Sequence, residues 1–204
     1  ELQIGNGVTQ GSIEGDVHLA AGTIFSTDLS KDIALDSTIS GAGKVVQKGT
    51  GVTKLTGHNT YAGGTEITSG VLEIERDHNL GDEHGSVLID GGELRFAAPA
   101  TLGKDRTVTL GTNNGVINTN ANLVEFGGSV DGAGQLVKTG TGTLVLDGEN
   151  SYAGGSQVNA GILQIGNGGK TGSIIGNVDV AAGAGFGINR SDDYTFAGTI
   201  SGDG

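Results

Sequence analysis

The most chemically loaded stretch of this 204-residue chain is Asp77-His78-Asn79-Leu80-Gly81-Asp82-Glu83-His84. Imidazoles and carboxylates are the donor types that hold a divalent transition metal, and His78, Asp82 and His84 are the candidate ligands. Their spacing matches no recognised ligand pattern, so the expected reading is a polar loop with no resident metal or cofactor. The adjacent acids Asp82-Glu83 and Asp192-Asp193 raise polysaccharide hydrolysis, which needs two carboxylates roughly 5–10 Å apart. Neighbours along a strand point to opposite faces, and Asp193 repeats the place of Asp32. No catalytic residue is assigned, and the chain is expected not to be an enzyme. Tyr61 and Tyr152 occupy one position of a repeat. They are either contact aromatics for a ligand or turn-packing residues, and repetition favours packing. With Glu75, Asp77 and Glu83 they complete the set of candidate contact residues. Asn59 and Asn150 suit turns, where their side chains bond to backbone. The calcium-binding nonapeptide GGxGxDxUx is not matched; Gly91-Gly92-Glu93-Leu94 shares only its two glycines.

The elements that must carry these residues are short. Gly supplies 41 of 204 residues and Pro one, Pro99. Apolar residues recur between the glycines in strand-like pairs, so the glycines mark turns rather than a disordered linker. Cys, Met and Trp are absent, which excludes disulfides and thiolate metal sites and suits passage through an oxidising compartment. The net charge is −12, with Lys and Arg scattered, so neither nucleic acid nor anionic lipid is an expected partner. No run approaches the roughly 20 apolar residues of a membrane helix, and no membrane insertion by this segment is expected.

Internal repeats decide the architecture. Residues 2–43 match 163–204 without a gap, at an offset of 161, with 22 of 42 positions identical. Residues 41–74 match 132–165 at an offset of 91, with 17 of 34 identical. The modules run B (1–39), A (40–74), a divergent segment C (75–130), A (131–165) and B (166–200). Residues 201–204 begin another A, so the chain is expected to be a fragment of a longer stalk. The copies also show which side chains face inward. Leu2/Leu72/Leu163 and Ile4/Ile74/Ile165 stay apolar, while Gln3/Glu73/Gln164 between them stay polar. Ile67 and Val158 follow the same rule beside Glu66 and Gln157, and Val17-His18-Leu19 is answered by Val178-Asp179-Val180.

Period-two patterning over three to five residues excludes helices and is too short for an ordinary sandwich, whose strands run about five or six residues. The expected fold is all-β: a right-handed parallel β-helix in which each strand pairs with the strand one turn above. One turn cannot bury its apolar face alone, but stacked turns share a core. Turns of roughly 20–25 residues give about nine turns, and a rod about 40–45 Å long at the strand spacing. Segment C, which breaks the alternation of modules, is the expected place for an individual binding face or is a divergent turn of the same stack.

The phrase Gly41-Ala42-Gly43, Lys44 or Lys48, Gly49-Thr50-Gly51, Leu55, Gly57-x-Asn59-x-Tyr61-x-Gly63-Gly64-Thr65 and Gly70-x-Leu72 resembles the passenger-associated transport repeat of type V (classical) autotransporters. The second copy runs from Gly132 to Ile165, with Lys138 and Ser156 read in place of Lys48 and Thr65. The B phrase GNGxxxGSI resembles text found beside such repeats. This resemblance implies a β-helical passenger on a Gram-negative cell surface, exported through an outer-membrane barrel that lies outside this segment. The implied role is adhesion or bacterial self-association. The implied partners are a host surface protein or glycan, or another copy of the chain. A spacer and folding aid for secretion is the alternative.

Overall fold

Every strand pairing in the computed structural model, which describes residues 1–8 and 11–204, is parallel and joins one turn of a coil to the next. The strands are three or four residues long and carry the alternating pattern expected of a half-buried strand, as in Val71–Ile74 and Glu93–Phe96. Thr9 and Gln10 lie outside the described residues.

Each turn visits three faces. Face one is a seven-stranded sheet from Leu2–Ile4 through Lys44–Gln47 and Thr65–Ile67 to Val130–Gly132. Face two is a nine-stranded sheet from Ile33–Leu35 through Leu136–Thr139 to Ile200–Gly202, so the coil has about nine turns. Face three begins with the pair Val17–Leu19 and Ile39–Gly41 and ends with five strands, Ala100–Leu102 to Gly185–Ile188. Between them the ladder continues as single hydrogen bonds: Thr60 N–H donates to Ile39 O at 2.9 Å, and Asp82 N–H to Tyr61 O at 3.0 Å. The 3₁₀ turn Asp77–Leu80, the one helical element among the described residues, interrupts this face inside segment C.

One apolar core runs along the axis and includes Ile4, Leu72, Ile74, Leu163 and Ile165, the residues that the repeats mark as inward. Ile67, Val158, Val17, Leu19, Val178 and Val180 are buried as expected. Burying the core along the whole stack is the main favourable term, since a single coil leaves its apolar side wet. Leu2, Ile188 and Ile200 lie on inward ladders of the first or last turns and are 46%, 47% and 55% exposed.

Corresponding modules do not lie one above another. Register partners advance from Val45 to Thr65, Val87, Val108 and Val130, so four turns consume 130 − 45 = 85 residues. An offset of 91 therefore overshoots by one strand and its corner. The A module's Lys44–Gln47 lies on face one, while its counterpart in Leu136–Thr139 lies on face two; Val52–Leu55 on face two corresponds to Thr143–Leu146 on face three. The B offset of 161 carries Leu2–Ile4 from face one to face three.

Candidate functional site

Segment C brings the loaded stretch together around an arginine that the sequence does not advertise. Arg106 is fully buried, 1% exposed. Its Nε donates to Asp77 Oδ1 at 2.5 Å and its Nη2 to Asp77 Oδ2 at 3.2 Å, a bidentate pair. Nη1 donates to Gly85 O at 2.6 Å, and Nη2 to Gly81 O at 3.2 Å. The guanidinium thus fills the place where the 3₁₀ turn leaves backbone carbonyls with no ladder partner. Asp77, expected as a contact residue, is instead the counter-charge of this plug, with its side chain 23% exposed.

The remaining candidates scatter. Glu75 pairs with Lys54 at 2.9 Å on the exterior of face two; the Lys54 ammonium holds the Glu75 carboxyl below its ordinary value. Asp82 accepts the His84 backbone N–H at 3.0 Å and lies 3.1 Å from its Nδ1, and these bonds lower the Asp82 carboxyl. Glu83 is exposed beside them. His78 turns elsewhere: its ring stacks on that of His58, one turn below, with centroids 4.4 Å apart. Among the described residues no group of three or more His, Cys, Asp or Glu converges as a metal site. Asp192 is tied to Arg190 Nε at 2.9 Å, and Asp32, the counterpart of Asp193, accepts the Val52 N–H at 3.0 Å.

The two tyrosines cannot serve as contact aromatics, because both are 0% exposed. Tyr61 stands above Gly41 and Tyr152 above Gly132, as shown by Ala62 N–H donating to Gly41 O and Ala153 N–H to Gly132 O. Each hydroxyl is paired inside the coil, Tyr61 with Thr65 Oγ1 at 2.7 Å and Tyr152 with Ser156 Oγ at 2.6 Å. Burial pushes ionisation of both phenols far above the ordinary value. The glycines beneath are required: Gly41 has φ +97° and Gly132 φ +107°, and a Cβ on either would meet the carbonyl of the turn below at 2.2 Å. Asn59 and Asn150 are buried and bond to backbone across turns, each accepting an N–H at 2.8 Å, from Ile39 and Val130.

Lys138 corrects the motif alignment. At an offset of 91 its counterpart is Gln47, not Lys48, and both side chains point inward and are buried. Gln47 Nε2 donates to Gly49 O at 2.8 Å and Gly51 O at 3.2 Å. Lys138 Nζ donates to Thr139 O and Gly140 O at 2.9 Å and to Ala160 O at 3.1 Å. The same corner carbonyls are thus served by an amide in one module and an ammonium in the other. Burial lowers the Lys138 pKa from 10.5 to about 8. Between these values the unfolded chain binds more protons than the folded one, so stability rises with pH across the window; below about pH 8 the cost of burying the charge is constant. Lys138→Gln is expected to remove this rise, about 2 kcal/mol between about pH 8 and 10. Denaturant melts of both proteins at each pH check it, and parallel pH curves would refute it.

The exterior of face two carries a charge ladder across successive turns. Lys54 lies 3.7 Å from Glu73, Glu73 3.7 Å from Arg95, and Arg95 2.8 Å from Glu93. Such half-exposed pairs contribute little stability and leave a surface with both signs of charge. Among the described residues no helix is long and apolar enough to cross a membrane.

Comparison with known proteins bears on what this coil belongs to. The family model described as passenger-associated-transport-repeat matches residues 45–74 and 136–165. A protein described as "Adhesin BmaC autotransporter", from Brucella suis biovar 1 (strain 1330), is 39% identical over 171 residues, which are 83% of this chain and 5% of that protein. The chain spans about one-twentieth of the length of this curated relative. No solved structure matches.

Proposed function

Because the chain is a segment of an autotransporter passenger with two passenger-associated-transport repeats in its coil, we propose that it acts as an adhesive stalk displayed at the Gram-negative cell surface. The observation that carries this reading is its identity with the named adhesin over most of its own length. The structure supports it in kind: the repeats preserve the interior and let the exterior drift, so a long polar flank is free to be shaped by contact. The partner class is a host surface protein or glycan, or a second copy of the chain. We read the role as non-enzymatic, since one acid of each adjacent pair is engaged locally, Asp82 with His84 and Asp192 with Arg190.

Displaying residues 1–204 on non-clumping bacteria is expected to raise attachment to host cells or the rate of settling. An unchanged value of both, at confirmed surface display, would count against an adhesive role. Sedimentation over a range of concentration and salt separates the two kinds of partner: reversible association supports self-recognition, and a monomer throughout directs the search to host ligands. A spacer and folding role is favoured by the small share of the relative that this segment covers. In that case deleting residues 40–74 lowers surface yield and leaves adhesion by the displayed remainder intact.

A further inference from the structure

The His58–His78 pair has no part in the adhesive reading or in the core. Its rings are 4.4 Å apart and inclined by 25°, at the corner between faces two and three. The backbone beneath them is fixed from several sides. Asn59 N–H donates to His78 O at 3.0 Å. Asn59 Nδ2 donates to Asn79 O at 2.7 Å, and Asn79 Nδ2 to Gly57 O at 2.9 Å. Asn79 Oδ1 accepts the N–H groups of Glu75 and Arg76, each at 3.0 Å. Both residues that flank the imidazoles are therefore locked in register, while the His58 ring is exposed and the His78 ring half-exposed. The arrangement is absent from the other A module, where Glu149 and Ser173 take these places, as shown by Asn150 N–H donating to Ser173 O at 3.1 Å.

We propose that His58 and His78 form a two-imidazole site for a borderline divalent transition metal such as Zn²⁺, Ni²⁺ or Cu²⁺, with the remaining coordination positions left to water or to a group from a partner. The two histidines sit at stacked corners of adjacent turns, joined by the Asn59 N–H to His78 O bond, about one strand spacing apart. To chelate one ion the exposed His58 ring turns out of the stack, so that an in-plane nitrogen of each ring meets the metal at the roughly 2.0–2.1 Å bond length. Imidazole selects these ions over Ca²⁺ and Mg²⁺, which require oxygen ligands. The pre-set backbone removes much of the ordering cost that weakens a two-ligand site. Burial, with repulsion from His58 and Arg76 and with Asp77 opposing, lowers the His78 pKa. The chain's net charge of −12 draws cations toward the surface; Arg76, whose charge acts on His78, works against it.

Calorimetric titration of the chain with Zn²⁺ and with Ni²⁺ tests the site, with far-UV circular dichroism confirming the fold of each variant. The expected result is one ion per chain, with affinity reduced about tenfold or more in H58N and in H78N and abolished in the double variant. Binding should weaken as the pH falls, since protons compete with the metal for imidazole nitrogen. H84N and H18N, which alter the other two histidines, should bind as the parent does. Equal affinity in the double variant, an equal loss in H84N, or no saturable binding at all would overturn the assignment. H58N changes an exposed side chain, so the test stands even if H78N perturbs its turn.

Discussion

Arg106→Met is expected to destabilise the coil around segment C by about 3–5 kcal/mol, the usual cost of removing one partner of a buried ion pair. The loss has two parts. Asp77 is left as a carboxylate with 23% of its side chain exposed and no counter-charge, and the carbonyls of Leu80, Gly81 and Gly85 lose their donor. Methionine fills comparable volume, so the effect isolates the charge and its hydrogen bonds from packing. In a stack whose turns contact only their neighbours, the damage is local before it is global. Hydrogen exchange should therefore report it first at the Asp82 N–H, which bonds to Tyr61 O, and at the amides of the 3₁₀ turn. A denaturant midpoint and an exchange pattern both equal to those of the parent would sink this account. Replacing Asp77 together with Arg106 by apolar residues should recover part of the loss, because the unpaired charge is then gone.

Tyr152→Ala is expected to cost about 3–5 kcal/mol, the range for emptying a buried aromatic site. Tyr152→Phe is expected to cost about 1 kcal/mol, the net value of one hydrogen bond, here the one to Ser156 Oγ. The ratio of the two is the informative quantity. A turn-packing residue loses most when the ring goes and little when the hydroxyl goes; a ligand-contact residue would lose binding and no stability. Tyr61, with the same burial and the Thr65 partner in place of Ser156, should show the same ratio. The cavity cannot collapse readily, because the glycine below is already pressed against the carbonyl of the next turn. Equilibrium unfolding of the four variants measures this, and a phenylalanine change as costly as the alanine change would refute the packing account.

What the sequence made legible was whatever a repeat could record. Leu72 and Leu163 remain apolar because each lies on an inward ladder, Leu163 between Leu144 and Phe186 and Leu72 between Thr53 and Leu94, so two copies suffice to identify the face. Tyr61 and Tyr152 were legible as a repeated position and, by that repetition, as packing residues. Arg106 was not, because it occurs once, in the segment without a second copy. Its partner Asp77 lies 29 residues earlier, at a separation set by the 3₁₀ turn rather than by any motif. Lys138 was within reach: strict use of the 91-residue offset pairs it with Gln47, and a shared inward position for Gln and Lys is itself a sign of corner carbonyls needing a donor. The His58–His78 stack was hidden for a different reason. His78 had been grouped with His84, its neighbour in sequence, whereas the coil places it against a residue one full turn away.

The rotation of corresponding modules has a consequence for how such rods change length. Loss or duplication of one 91-residue unit joins sequence that is nearly the same on both sides of the seam, so the ladder closes with its inward alternation intact and the core unbroken. Everything beyond the seam, however, is turned about the axis by one face. The length of a rod and the compass bearing of its distal surface are therefore set by a single genetic event. A surface that faced a neighbouring cell before such an event faces sideways after it, with no residue of that surface changed.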